Sequence, residues 1–131
     1  MILVDSSAWI EILRGNQRDE FARAIDDDEV VTCLPVIQEV LQGIDDERAY
    51  SLAFSAFAHV PILEEPLTRE VFDDAIRLYR AARRSGVTVR SGVDCLIAAC
   101  AMRNGAVVLH SDRDFTQLAR VAPLRERRLR P

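Results

Sequence analysis

Short, unbroken apolar runs alternate along the chain with longer stretches in which apolar residues recur at helical spacing. The first run, Ile2-Leu3-Val4, is apolar at every position, as suits a strand buried on both faces of a parallel sheet. Asp5-Ser6-Ser7, all helix-capping residue types, leads into Trp9, Ile12 and Leu13, which predict a helix over 8–14 closed by Gly15. A second helical pattern over 17–27 runs through Phe21, Ala24 and Ile25, and Val30-Val31-Thr32-Cys33 reads as a second strand. Pro35 suits the first turn of a helix that Gly43 ends. A helix over 46–58 and a short strand over 60–63 follow. The longest helical pattern, 68–84, stops at Ser85-Gly86. Residues 92–103 are apolar on nearly every side and predict a buried helix ended by Asn104-Gly105. Val107-Val108-Leu109 reads as a strand, 112–119 as a short helix, and the tail from Pro123 is arginine-rich. Strands taking turns with helices predict an α/β fold with a mostly parallel sheet, in one domain over 1–131.

Composition narrows the chemistry. All 17 basic residues are arginine, so a Walker A lysine, a Schiff-base lysine and the lysine of phospho-acceptor receiver domains are excluded, and no G-x-G-x-x-G occurs. Cys33, Cys95 and Cys100 have no C-x-x-C spacing and read as small buried hydrophobes in a reducing compartment. His59 and His110, without H-E-x-x-H, make a zinc site improbable. The start does not resemble a signal peptide and no apolar run approaches a membrane span, so the expectation is a soluble, cytoplasmic protein that does not engage a membrane. The net charge of −4 hides a segregation: residues 1–74 carry 17 acids and 5 arginines, whereas 75–131 carry 4 acids and 12 arginines.

The acids fall in suggestive places. In open α/β sheets, sites lie outside the carboxyl ends of the strands. Asp5 directly follows the first strand and Asp112 comes shortly after the last, although either would also serve as a helix N-cap. Asp94 projects among Ile97, Ala98 and Ala101, where an unpaired carboxylate is costly to desolvate; the structural alternative is a capping box with Ser91. Glu39 flanks the apolar arc of Val36, Ile37, Val40 and Leu41. Asp114 fits a capping box with Ser111, which leaves Asp112 as the better site candidate and Asp114 in reserve. Two bare carboxylates about 5 Å apart repel by roughly 3 kcal/mol at an effective dielectric near 20. Asp5, Glu39, Asp94 and Asp112 converging at one sheet edge would therefore need a cation or raised pKa values. Oxygen-only ligands select a hard cation, Mg²⁺ or Mn²⁺, and point to metal-assisted phosphoryl chemistry.

These blocks carry a resemblance. The opening Ile-Leu-Val-Asp5-Ser6-Ser7-Ala-Trp-Ile is similar to that of PIN-domain ribonucleases, and Glu39 in Pro35-Val-Ile-Gln-Glu39-Val-Leu-Gln-Gly43 resembles their second acidic position. Thr88-Val-Arg-Ser-Gly-Val-Asp94-Cys-Leu-Ile-Ala-Ala and Leu-His-Ser-Asp112-Arg-Asp114-Phe115 resemble the third and fourth blocks. Length and block order are similar to the VapC toxins of bacterial type II toxin–antitoxin systems, over essentially the whole chain. The resemblance implies a Rossmann-like α/β/α sandwich and an endoribonuclease dependent on Mg²⁺, with Mn²⁺ as substitute. It implies Asp5, Glu39, Asp94 and Asp112 as catalytic metal-site residues, with Ser6, Ser111 and Asp114 auxiliary. It further implies an RNA substrate, a homodimer and inhibition by a VapB-like antitoxin. Asp5 and Asp94 are assigned as principal metal ligands, with Glu39 and Asp112 completing the shell or placing the attacking water, so that in-line attack leaves a 5′-phosphate and a 3′-hydroxyl.

Two other readings compete. A non-catalytic PIN-like interaction module should have lost acids that this chain keeps, and a haloacid-dehalogenase-like phosphatase needs an Asp where Ser7 stands. Arg83, Arg84, Arg90, Arg103, Arg113, Arg125, Arg127, Arg128 and Arg130 are candidate phosphate contacts, and the acidic first half is a candidate receiver of a basic antitoxin segment. The stripes Trp9, Ile12, Leu13 and Phe54, Phe57 fit either core or a partner groove.

Overall fold

A computed structural model of the chain describes residues 1–129. Four parallel strands lie in the order β2-β1-β3-β4, with β1 at Ile2–Val4, β2 at Val30–Val31, β3 at Val107–His110 and β4 at Glu126–Arg128. Leu3 stands between Val31 and Val108, and Val4 opposite Leu109. Ile2, Leu3 and Val4 are fully buried because both faces of the sheet are covered. Leu3, Val31 and Val108 point into one apolar cluster, while Ile2, Val4 and Leu109 point into a second, as the two-residue repeat of a strand dictates. The second face is covered by α1 (Ser6–Leu13) and α2 (Arg18–Ile25) through Ala8, Phe21, Ala24 and Ile25. The first is covered by α3 (Leu34–Gln42), α4 (Glu47–Phe57), α5 (Arg69–Arg84), α6 (Gly92–Asn104) and α7 (Arg113–Leu118). The result is the α/β fold expected from the alternation and the α/β/α sandwich that the resemblance implies, with the described strands all parallel.

The chain leaves β1 to form β2 on one side, then crosses back to form β3 on the other. That reversal opens a crevice at the carboxyl ends of β1 and β3. α6 reaches it from the core: Cys95, Ile97, Ala98, Ala99, Cys100 and Ala101 are buried, and their small side chains let the helix press against its neighbours. Gly105 ends α6 in the left-handed conformation (φ 66°), so the chain can turn directly into β3.

Two expectations are corrected. Residues 60–63 form no full strand; only a single parallel bridge joins Ile62 to Thr32, because Pro61 has no N–H to donate and Glu64, at φ 55°, turns the chain out of the extended conformation. The arginine-rich tail contains the edge strand β4, whose pairing uses backbone groups and therefore needs no apolar run. The three cysteines are free and buried, as expected. The aromatic stripes divide: Trp9 and Phe57 pack edge to face with ring centroids 5.4 Å apart, whereas Phe54 and Leu13 face outward.

Candidate metal centre

Asp5 is delivered by β1 and caps α1, its Oδ2 accepting hydrogen bonds from Ser7 N (3.0 Å) and Ser7 Oγ (2.6 Å). Ser7 Oγ in turn accepts from the amide of Ser111 (2.9 Å), which ties the loop after β1 to the loop after β3. The backbone of Asp5 is fixed to the same strand by its N–H donating to Leu109 O (2.8 Å). Glu39 comes from the middle of α3, and its Oε1 accepts from Ser6 Oγ (3.0 Å). Asp94 sits in the first turn of α6, only 4% exposed. Asp112 caps α7, accepting the Asp114 amide at 2.9 Å, while Asp114 points back into the crevice and accepts the amide of Arg90 (3.1 Å).

These five carboxylates form two overlapping groups. One oxygen each from Asp5, Glu39 and Asp94 lie within 4.8 Å of one another, as do oxygens of Asp94, Asp112 and Asp114. Asp94 belongs to both and is the centre of the cluster. Among the described residues, Asp5 Oδ1 and Asp94 Oδ2 are buried without a hydrogen-bond partner, and Asp114 Oδ1, likewise without a hydrogen bond, lies 3.5 Å from Arg90 Nε. A buried carboxylate oxygen left unpaired is costly. Such oxygens on three members of the cluster are an arrangement that a cation relieves, and an all-oxygen donor set suits a hard divalent ion.

The protonation chemistry agrees. Burial pushes the Asp94 carboxyl up to about 9, with its contact to Asp114 and the charges of Asp5 and Asp112 adding to the effect. Burial also raises Asp5, against the hydrogen bonds from Ser7 and Ser6, with Asp112 contributing repulsion. Glu39 is raised by burial and by Asp5 and Asp112, against the Ser6 hydrogen bond. The crevice thus holds carboxyl groups that give up their protons reluctantly unless a positive charge enters.

The four acids singled out in the sequence meet here, but the auxiliary set is revised. Asp114 does not box with Ser111; α7 is capped by Asp112, which leaves the Asp114 carboxylate free to join the cluster. Ser91 makes no side-chain cap, so Asp94 is not held as a capping-box acid. Ser6 touches Glu39 as a ligand-orienting hydroxyl would, whereas Ser111 contributes its amide. Two residues were missed. Ser7 orients Asp5. His110, fully buried, accepts the Asp112 amide at Nδ1 (3.2 Å) and contacts Glu126 of β4 through Nε2 (2.5 Å). A hydroxyl two positions after a strand-end Asp, and a histidine two before one, were the available signals.

The arginines separate as well. Arg103 pairs with Glu64 and Asp74, and Arg125 and Arg127 donate to the carbonyls of Gly105 and Ala24, so these three brace the fold. Arg83 lies over the Tyr79 ring, and Arg130 lies outside the described residues. Arg90 alone among the described arginines pairs with the carboxylates of the cluster.

Known proteins resemble this chain in sequence and fold. Residues 2–121 match the PIN domain family. A VapC ribonuclease of Mycobacterium bovis and ribonuclease VapC11 of Mycobacterium tuberculosis are each 38% identical over 129 residues, covering 95% of this chain and 96% of the relative. Among solved structures, VapBC2 from Rickettsia felis, bound to a DNA fragment from its promoter, superposes with a TM-score of 0.76 at 12% identity over 98% of both chains. VapBC-5 from Mycobacterium tuberculosis gives 0.70 at 23% identity over 96% of both. These two likenesses establish the fold, and the match along the sequence goes further: the chain belongs to the PIN-domain family, among the VapC ribonucleases.

Proposed function

We propose that this chain is the toxin of a type II toxin–antitoxin pair, a Mg²⁺-dependent endoribonuclease for which Mn²⁺ substitutes. The observation that carries the reading is the gathering of Asp5, Glu39, Asp94, Asp112 and Asp114 in two groups that share Asp94, with three buried carboxylate oxygens that accept no hydrogen bond among the described residues. Asp5 and Asp94 are the principal cation ligands, Glu39 and Asp112 complete the set, and Asp114 joins it from the far side. When bound, the cation supplies Lewis acidity toward a phosphodiester and lowers the pKa of water. Glu39, half-buried and held at one oxygen by Ser6, would complete the cation's shell or place the attacking water. Ser7 and the Ser111 amide keep Asp5 in place while the substrate enters.

An antitoxin of VapB type would restrain this activity. A groove of about 470 Å³ between α1, α3 and α4, lined by Ile10, Leu13, Ile44 and Leu52, gives an apolar segment a seat. Arg14 also lines the groove, and Glu11, Asp45, Asp46 and Glu47 flank its lining residues in the sequence, so the seat offers charges of both signs to a partner. Homodimerisation and a cytoplasmic location complete the proposal; among the described residues no helix is long and apolar enough to cross a membrane.

The test is end-group analysis of RNA incubated with partner-free protein. A Mg²⁺-dependent product bearing 5′-phosphate and 3′-hydroxyl ends, lost in EDTA, supports the reading. Ends carrying 2′,3′-cyclic phosphate, or cleavage that survives EDTA, overturn it.

A further inference from the structure

Five carboxylates around one crevice repel the polyanion that the enzyme is proposed to cut, so the site needs positive charge beyond a single divalent ion. Arg90 stands where that charge is wanted. It follows buried Val89 in the loop between α5 and α6, and its backbone N–H is fixed to Asp114 Oδ2 at 3.1 Å. The guanidinium reaches over the mouth of the crevice, with Nη2 3.3 Å from Asp112 Oδ1 and Nε 3.5 Å from Asp114 Oδ1. Its side chain is 56% exposed, against 26% for Asp112 and 2% for Asp114, so it is the outermost charged group of the three.

The contacts are loose. Strong charge-assisted bonds to carboxylates measure about 2.7–2.9 Å and are often bidentate to one partner, whereas Arg90 makes longer, single approaches to two different groups. Asp112 Oδ1 already accepts the Asp114 amide and does not need the guanidinium for satisfaction. Nη1 makes no hydrogen bond among the described residues. The anchored backbone and weakly held head describe a side chain free to exchange partners without moving the loop.

The geometry points to Arg90 as the RNA-phosphate ligand of this site: it rests on Asp112 and Asp114 while the crevice lacks substrate, and turns its planar fork onto a phosphodiester oxygen when RNA enters. A cation held by the cluster would weaken the pull of Asp112 and Asp114 on the guanidinium and so favour the exchange. Guanidinium matches phosphate with two parallel donors, which lysine does not. This inference rests on the nuclease reading above.

The experiment compares wild type, Arg90→Ala and Arg90→Lys on labelled bulk cellular RNA at saturating Mn²⁺ across a KCl series. A parallel Mn²⁺ titration follows the melting temperature. Arg90→Ala is expected to raise KM about tenfold, the order of one lost hydrogen bond to a charged group, with kcat changed far less. Its log–log salt slope becomes shallower by about 0.7, one phosphate contact on a single strand. Arg90→Lys restores the slope but not the full affinity, and Mn²⁺ binds Arg90→Ala at least as well as wild type, because a competing cation has gone. Unchanged KM and salt slope in Arg90→Ala would overturn the inference and leave the residue a counter-ion, with the nuclease reading intact. Loss of Mn²⁺ binding in that variant would also overturn it, by showing a structural clamp. Wild type that binds Mn²⁺ and cuts nothing would overturn the nuclease reading and this inference together.

Discussion

Asp94→Asn should make the metal-free protein more stable, and the gain should depend on pH in a specified way. Asp94 is held protonated up to about 9 in the folded chain, while its ordinary carboxyl value is 3.8. A raised folded pKa favours folding fully below the unfolded value, and that contribution is lost as pH rises toward the folded one. At about pH 7 the folded protein must take up a proton that the unfolded chain does not hold, over roughly three pH units. At about 1.4 kcal/mol per unit this sets a ceiling near 4 kcal/mol. Water at the open side of the crevice screens the site, and half that figure, about 2 kcal/mol, is the working expectation. Asparagine keeps the shape and does not titrate. With an unfolding entropy of about 2 cal/mol/K per residue, 2 kcal/mol corresponds to a rise of about 7 °C in Tm for a chain of 131 residues. Calorimetric melts in EDTA at about pH 7 and about pH 4 check this. The Asp94→Asn variant should melt higher than wild type at the first pH, with the advantage nearly closed at the second. A variant less stable at neutral pH, or an advantage equal at both, would refute the electrostatic argument.

Other consequences of the geometry are as direct. Cation binding must expel the Asp94 proton, so apparent Mn²⁺ affinity should rise up to about tenfold per pH unit between pH 6 and 8. Titration calorimetry in buffers of different ionisation enthalpy should show close to one proton released, and none would contradict the assignment. Asp5→Asn should abolish the Mn²⁺-induced rise in Tm while leaving a folded protein, checked by far-ultraviolet dichroism. Ser7→Ala removes both the support of Asp5 and the acceptor of the Ser111 amide, and should cost about 1–3 kcal/mol in a urea melt as well as lowering RNA cleavage. His110→Ala leaves a cavity in the core and an unpaired Asp112 amide, and should cost about 2–4 kcal/mol by the same assay.

The four acids were legible because each follows or faces a short apolar segment whose burial the pattern already shows, as Asp5 does after Ile2-Leu3-Val4. Asp94 stood out because seven of the thirteen residues of α6 are buried, and a carboxylate in such a helix lacks an ordinary reason. β4 was not legible: Glu126, Arg127 and Arg128 carry no apolar alternation, and their strand exists because β3 offers an unpaired edge beside His110. The roles of Ser6, Ser7 and Ser111 turn on which way each hydroxyl or amide faces in a tight turn, which spacing does not encode. Asp112 takes the cap of α7, and the Asp114 carboxylate is held instead by the amide of Arg90, 24 residues earlier in the chain, a partner that local spacing does not reveal.

The central claim is that the five carboxylates form a divalent-cation site, and anomalous diffraction from crystals soaked in Mn²⁺ tests it most directly. The expected result is a peak bonded to oxygens of Asp5 and Asp94, absent from Asp94→Asn crystals treated alike. A peak elsewhere, or none at a Mn²⁺ concentration that supports RNA cleavage, would contradict the account.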